Sequence, residues 1–413
     1  MNSSEKNFLY RLINKNRNEV YSDKEYPLID NPFDTTDLMS GVDVLLKGKI
    51  TMSQITKNFE NKFANYVGSK YALMVNSGSS ANLLSFFALI NPKNKKRLKK
   101  DDECLVPALC WSTSLWPIIQ AGLKPKFVDV DVETLNVNLE DLKKKINKKT
   151  KAFLAVHILG NSTNMKKLIK ICDKKKITLI EDTCESLGSK FMGKSLGTFG
   201  RFGTYSFYPS HQITSGEGGM VICNKKEDYE ILHSLRAHGW DRGLNNKNNK
   251  SFNFINSGFN LRPLDLTAAI GLSQLRKLER FKRQRILNRN RIIQSLKKSK
   301  KWDNQFIFIN PIKNLKPSWF GLPILVNKKY IKIKKNFLKI LNKTKIETRP
   351  IISGNFLNQP CIKLYNLKKR NEKFIGSQEI EDRGFFIGLP TKKISEKKLN
   401  FLVKNLLKID DLV

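Results

Sequence analysis

Short apolar runs alternating with helix-length amphipathic stretches leave few architectures open to this chain. The runs recur at residues 71–75, 103–107, 126–130, 152–156, 178–180, 203–207 and 219–223. A strand that is apolar on both faces must be covered on both, and most of these runs are separated by segments with helical spacing. The expected fold is therefore α/β, a mainly parallel sheet with helices on both faces. A helix is expected ahead of the first run, over 53–66, where Ile55, Phe59, Phe63 and Tyr66 share one face. Residues 1–35 read as a polar leader with a helix, 36–290 as a large domain and 291–413 as a smaller α+β domain. In the last, 319–326, 348–352 and 384–387 alternate with helical segments. The basic amphipathic stretch 272–296 reads as one connecting helix, with Leu275, Leu278, Phe281, Ile292 and Leu296 on its apolar side.

Composition narrows the function. With 40% hydrophobic residues in 413, the chain can bury a large core. No run approaches the roughly 18 apolar residues of a membrane span, and the N-terminus lacks a signal-peptide apolar block. Membrane insertion is not expected, and a cytoplasmic location is. Six cysteines are scattered without a CxxC pair and read as reduced thiols. The net charge of +38, from 75 Lys and Arg against 37 Asp and Glu, would ordinarily suggest nucleic acid. Here the basic residues are spread along the whole chain with no zinc-finger spacing or RNA-binding aromatic box, so nucleic acid is not the expected partner. The field still attracts a polyanionic substrate, and a noncatalytic polyanion-binding protein is the alternative from another class.

Three segments carry chemistry. The run 76–82, Asn-Ser-Gly-Ser-Ser-Ala-Asn, follows a strand and opens an apolar helix. Its amides, hydroxyls and positive helix end can hold a phosphate, although a serine there can also be only an N-cap. Asp182 ends an apolar strand, where ligands bind in doubly wound sheets. The segment 205–219 packs small, hydroxyl and glycine residues around His211, which suits close approach of a ligand.

In this order, with 107–111 between the first and second, these segments resemble the DegT/StrS family of sugar aminotransferases, which are fold-type I pyridoxal phosphate (PLP) enzymes. The resemblance runs from about residue 40 to 400. It continues through Val156-His157-Ile158-Leu159-Gly160, Arg236-Ala237-His238-Gly239, Gly258-Phe259-Asn260-Leu261-Arg262, Trp319-Phe320-Gly321 and Glu347-Thr348-Arg349-Pro350. It implies that Asp182 pairs with the cofactor's ring nitrogen, Trp111 stacks on the ring, and Gly78, Ser79 and Ser206 contact the phosphate. It further implies that Asn260 reaches the phosphate from the other subunit of a homodimer, and that Arg349 contacts substrate. Glu185 stands where the aminotransferases usually carry Gln, near the ring hydroxyl.

The departure is His211. After Ser206-Phe207-Tyr208-Pro209-Ser210 the aminotransferases place the Lys that binds the cofactor covalently, and an imidazole cannot do so. The cofactor is then held without a covalent bond, as pyridoxamine phosphate or PLP, while His211 remains a base. This substitution resembles the sugar 3-dehydratase branch of the family. The branch implies removal of the 3-hydroxyl from a nucleotide-linked 4-keto-6-deoxyhexose, toward dideoxysugars of surface polysaccharide such as O-antigen. A CDP-4-keto-6-deoxyglucose-type dehydratase and a nucleotide-sugar aminotransferase are the nearer alternatives. The CDP-type enzymes carry a two-iron cluster on four cysteines, of which Cys184 matches the first place while Arg242, Leu244 and Phe252 occupy the others. With no iron-sulfur cluster expected, GDP-4-keto-6-deoxymannose is the expected substrate, and glutamate the amino donor that restores the cofactor. Metal analysis of the purified protein should accordingly find no stoichiometric iron or sulfide; a full two-iron complement would move the assignment to the CDP type.

Overall fold

The structure, a computed structural model, describes residues 3–16, 22–29, 32–244, 251–368 and 372–412. Residues 1–2, 17–21 and 30–31 of the expected leader lie outside these. Seven strands form the large sheet: β1 (Tyr71–Val75), β2 (Glu103–Pro107), β3 (Lys124–Val128), β4 (Thr150–Val156), β5 (Thr178–Asp182), β6 (Phe202–Ser206) and β7 (Gly219–Cys223). Their order is β1-β7-β6-β5-β4-β2-β3. From β6 to β3 every pair is parallel, and β7 runs antiparallel to both β1 and β6. The α/β architecture expected from the alternation is present. Parallel pairing brings the C-terminal ends of β2, β4, β5 and β6 to one edge, where the loops of interest leave the sheet.

A second sheet joins β8 (Phe306–Phe308), β9 (Gly321–Val326), β10 (Thr348–Arg349) and β11 (Gly384–Gly388) in the order β8-β9-β11-β10, antiparallel throughout. Its core gathers Phe306, Leu322, Ile324, Phe337, Phe385, Ile387, Leu402 and Leu406, all buried. Among the described residues no helix is long and apolar enough to cross a membrane.

Two expectations are corrected. The strand placed at 126–130 runs at Lys124–Val128, because the Asp129 N–H goes to the Asp141 carboxylate at 2.7 Å and the ladder stops there. The single helix placed at 272–296 is two, Asp265–Leu275 and Leu278–Lys298. The break is anchored: the Lys277 ammonium pairs with Asp34 at 2.5 Å and Asp37 at 2.7 Å, while the Gln274 amide donates to Asp37 at 2.6 Å. Beyond the break, Leu278–Lys298 packs Leu278 and Phe281 against one core and Ile292 and Leu296 against that of the second sheet.

The helix Gln54–Val67 supports the candidate site from beneath, since Phe59 and Phe63 pack on Phe207 with ring centroids 5.3 and 5.6 Å away. Its first turn is capped from 212 residues downstream. Ser53 makes no side-chain cap; the Asp265 carboxylate instead accepts from the backbone N–H groups of Ser53 (2.8 Å) and Thr56 (2.9 Å) and from both hydroxyls. Burial works against this charge, and the donors from Thr56 and Ser53 outweigh it, holding the carboxyl below its usual range. Its stabilisation is therefore present at neutral pH and lost as pH falls through the folded value. Asp265→Ala should destabilise the protein by roughly 2–3 kcal/mol, read by denaturant unfolding at pH 7. An unchanged midpoint would remove the capping role.

Candidate active site

Asp182, at the end of β5, is the centre of a buried polar network. It is 5% exposed, and its Oδ2 accepts from Asn82 and from the Ser114 hydroxyl, each at 2.8 Å. Its Oδ1 accepts from the Cys184 N–H at 3.2 Å. Asn82 lies in the helix Gly78–Ile90 and Ser114 in Ser112–Gln120, so Asp182 ties both helices to the sheet. Asn82 is itself oriented by the Thr204 hydroxyl, 2.7 Å from its Oδ1. Ser114 lies outside the segments read from the sequence, and Asn82 enters them only as the last residue of the run 76–82, with no role of its own. Asn82 sits one turn beyond Gly78, on the face its helix turns to the sheet, and that spacing was the available signal.

The helix Gly78–Ile90 opens against Ser206. Ser77 caps it by accepting from the Ser80 N–H at 3.1 Å, and the Ala81 N–H goes to the Ser77 carbonyl. Among the described residues no hydrogen bond takes the N–H groups of Gly78 and Ser79. A Cβ on Gly78 would lie 2.6 Å from Ser206 Cβ and 3.0 Å from Cys184 Sγ, so only glycine allows this approach. The Ser79 hydroxyl donates to Thr113 at 2.9 Å, next to the helix start at Trp111. Trp111 itself is 57% exposed, a large ring left uncovered at the mouth of the site. Cys184 packs between these groups. Burial, then the charges of Asp182 and Glu185, push its thiol well above the usual range, which leaves it a packing residue.

His211 lies on the loop that leaves β6. Phe207 closes the base of this loop, donating its N–H to Gly218 and accepting from the Ser215 N–H and the Thr214 hydroxyl. The imidazole meets the Phe320 ring edge-on at 5.2 Å, and Phe320 meets Phe386 of β11 at 5.9 Å, so aromatic contacts link the loop to the second sheet. The Arg285 guanidinium donates to the His211 carbonyl at 3.3 Å. Burial, and then the Arg285 charge, push the imidazole down to about 3, with the Tyr208 carbonyl opposing. The ring is thus neutral at pH 7, and a weaker base here than an imidazole in water. Glu185 accepts from the Leu159 N–H at 3.0 Å. Burial pushes its carboxyl up to about 8 and the Asp182 charge adds to this, against the Leu159 bond. At neutral pH it is a hydrogen-bond donor.

Gly78 thus meets Ser206 and Cys184, Ser79 meets Thr113 two residues past Trp111, and Asp182 meets Cys184 beside Glu185, while His211 adjoins this set through its neighbour Gln212. The last link is Gln212, whose amide donates to the Glu185 carbonyl at 2.5 Å and the Ser318 carbonyl at 3.1 Å. Two expected residues stand apart. Asn260 is exposed, bridged through its backbone to Ala237, and its side chain makes no hydrogen bond among the described residues. Arg349 is an exposed member of β10 whose guanidinium lies 3.4 Å from Glu347.

A sequence profile of the DegT/DnrJ/EryC1/StrS aminotransferase family matches residues 34–403. The chain is 40% identical over 375 residues to GDP-4-keto-6-deoxy-D-mannose 3-dehydratase of Escherichia coli O55:H7, covering 88% of this chain and 95% of that protein. Among solved structures it is similar to the E. coli GDP-4-keto-6-deoxy-D-mannose-3-dehydratase with bound hydrated PLP: TM-score 0.86, 37% identity, 93% of this chain and 99% of the other. A GDP-4-keto-6-deoxymannose-3-dehydratase holding a trapped PLP-glutamate geminal diamine superposes with a TM-score of 0.85 at 37% identity, over 92% and 100% of the two chains.

The Glu185 carboxyl keeps its proton to about pH 8 in the fold and loses it near its ordinary 4.5 when unfolded. The unfolded chain binds fewer protons across that window, so this residue costs stability as pH rises through it. Glu185→Gln should raise the melting temperature by several degrees at pH 8 and leave it nearly unchanged at pH 5. A gain equal at both pH values would show that the carboxyl is ionised in the fold.

Proposed function

The chain belongs to the DegT/DnrJ/EryC1/StrS aminotransferase family, and we propose that within it the protein is a pyridoxamine phosphate-dependent 3-dehydratase of GDP-4-keto-6-deoxymannose. The observation that carries this reading is the imidazole of His211 on the loop after β6, set edge-on 5.2 Å from the Phe320 ring and joined through its neighbour Gln212 to the Glu185 loop. A base stands where the covalent aminotransferases need an amine. The 40% identical relative and the 37% identical structure bear the name of the same reaction, which supports both the substrate and the dehydration.

The residues present fit the cofactor. The Gly78–Ser206 approach leaves a cradle that a Cβ would fill, beside two helix amides that take no protein partner among the described residues. When bound, the cofactor supplies an amine for the sugar's 4-keto group and a ring that takes up an electron pair. Gly78, Ser79 and Ser206 would hold its phosphate, Asp182 would pair with the ring nitrogen, Trp111 would cover the ring, and Glu185 would serve the ring hydroxyl. His211 removes a proton at the reacting carbon and returns one to the departing 3-hydroxyl, serving as base and then acid. Arg349 contacts substrate. Glutamate is the amino donor of this reading, which the PLP-glutamate geminal diamine named for the structural relative supports. The same proposal takes the protein to be a cytoplasmic homodimer in which Asn260 reaches its partner's phosphate site. It assigns 36–290 to cofactor binding and 291–413 to a smaller unit, and the product to dideoxysugar formation for surface polysaccharide.

The test is turnover of GDP-, CDP- and dTDP-linked 4-keto-6-deoxy sugars with glutamate, scoring one ammonia released per sugar. GDP-4-keto-6-deoxymannose should be consumed fastest, and His211→Asn should lower its turnover at least about a hundredfold with cofactor still bound. Preference for the CDP sugar, or wild-type protein already trapped on PLP by borohydride, would overturn the reading.

A further inference from the structure

The turn that follows β4 adopts a conformation that one of its residues disfavours. Leu159 is fully buried with φ 51° and ψ 26°, the left-handed region that a bulky side chain rarely enters. Gly160 follows at φ 96°, where a Cβ would lie 2.4 Å from the Ser318 carbonyl oxygen, so there the residue type suits the backbone. At Leu159 it does not.

Buried bonds hold the turn in place. His157 is 1% exposed and donates its N–H to the Asp182 carbonyl at 3.0 Å. Its Nε2 lies 3.0 Å from the Glu181 carboxyl and its Nδ1 3.0 Å from the Ser162 hydroxyl. The Glu181 oxygens already accept from the N–H groups of Gly197, Phe199 and Gly200, so Nε2 donates to Glu181 and Nδ1 accepts from Ser162. The Ser186 hydroxyl donates to the His157 carbonyl at 2.7 Å and accepts from the Gly160 N–H at 3.0 Å, and the Ile158 N–H goes to the Asn136 side chain at 3.2 Å. Strain of this kind persists only where the surroundings fix it on several sides.

The peptide groups on either side of the Leu159 Cα both serve the site. The N–H goes to Glu185 at 3.0 Å, and the carbonyl accepts from the Phe320 N–H at 3.3 Å. Phe320 is the residue whose ring meets His211 edge-on. Because peptides are planar, φ and ψ alone set the angle between these two groups, and an extended residue could not serve both partners.

We propose that Leu159 is a positioning residue of the candidate active site: its left-handed backbone holds Glu185 by one peptide and, through Phe320, His211 by the next, and the buried His157–Glu181 pair locks it there. Its bearing on the reaction rests on the roles given above to Glu185 and His211.

Substitutions at 159 separate backbone from side chain, because the two predict opposite orders of damage. Leu159→Gly deletes the whole buried side chain but enters the left-handed region freely, whereas Leu159→Val loses one methylene and, being β-branched, is driven out of it. The chain has four histidines, so the ¹⁵N-labelled ring of His211, assigned with His211→Asn, reports on one side of the peptide. The ¹³C-labelled carboxyl of Glu185, assigned with Glu185→Gln, reports on the other, both in cofactor-free protein. Leu159→Val should move each signal at least about twice as far from its wild-type position as Leu159→Gly does. Equal displacements, or the reverse order that packing alone predicts, overturn the proposal, as does movement of only one signal. Should Leu159→Val not fold, the lock is tested instead: His157→Leu removes the donor to Glu181 and should move both signals, while His157→Gln keeps a donor at the place of Nε2 and should leave them near wild type. Equal signals in those two variants overturn it. Neither signal needs cofactor or turnover, so absence of dehydratase activity would count against the proposed function and leave this test standing.

Discussion

A carboxylate taken out of water must be paid for by hydrogen bonds, and Asp182 meets that requirement with groups from across the molecule. Asn82 comes from the helix after β1 and Ser114 from the helix after β2, while the Cys184 N–H comes from the loop after β5. Removing any one of them leaves a buried charge under-bonded, which is costlier than the bond itself. The arrangement of these helices over the sheet, and so the meeting of Gly78 with Ser206, follows from this one side chain. A group that only filled a site could be replaced by a well-packed apolar residue. Asp182 cannot, because its network also orients Thr204 through Asn82.

Much of this was readable locally. The runs at 71–75, 103–107 and 219–223 coincide with β1, β2 and β7 because each is apolar, but for Glu103 at the start of β2, and bounded by polar loop residues. The glycine at 78 and the carboxylate at 182 were legible for a similar reason, since strand ends and helix starts carry local signals. What was hidden depended on partners far along the chain. The end of β3 is set by Asp141, and the break between Leu275 and Leu278 by Asp34 and Asp37. Asn82 and Ser114 look like ordinary helix residues until the fold brings Asp182 between them. Gln212 was overshadowed by the histidine before it, although it bridges two loops.

Opposite electrostatic outcomes meet within this small region. The same loss of solvent lowers His211 and raises Glu185, so both groups are neutral near pH 7. One can then accept a proton and the other can donate a hydrogen bond without either carrying a net charge into the site. Asp182 stands at the end of β5, its carboxyl held by Asn82 and Ser114. This division of labour is set by burial and neighbours rather than by the residue types alone.

The place of β7 in the sheet also bears on how the chain is made. Among the described residues β1 pairs only with β7, which begins at Gly219, and the helix before β1 receives its cap from Asp265. At about 5–20 residues per second, a ribosome leaves the edge of β1 unpaired for roughly seven to thirty seconds. During that interval the nascent chain exposes an apolar strand edge that can pair with a neighbouring copy. The basic stretch at residues 95–100 follows directly behind β1 and its helix, and like-charged chains emerging side by side repel one another during that vulnerable window.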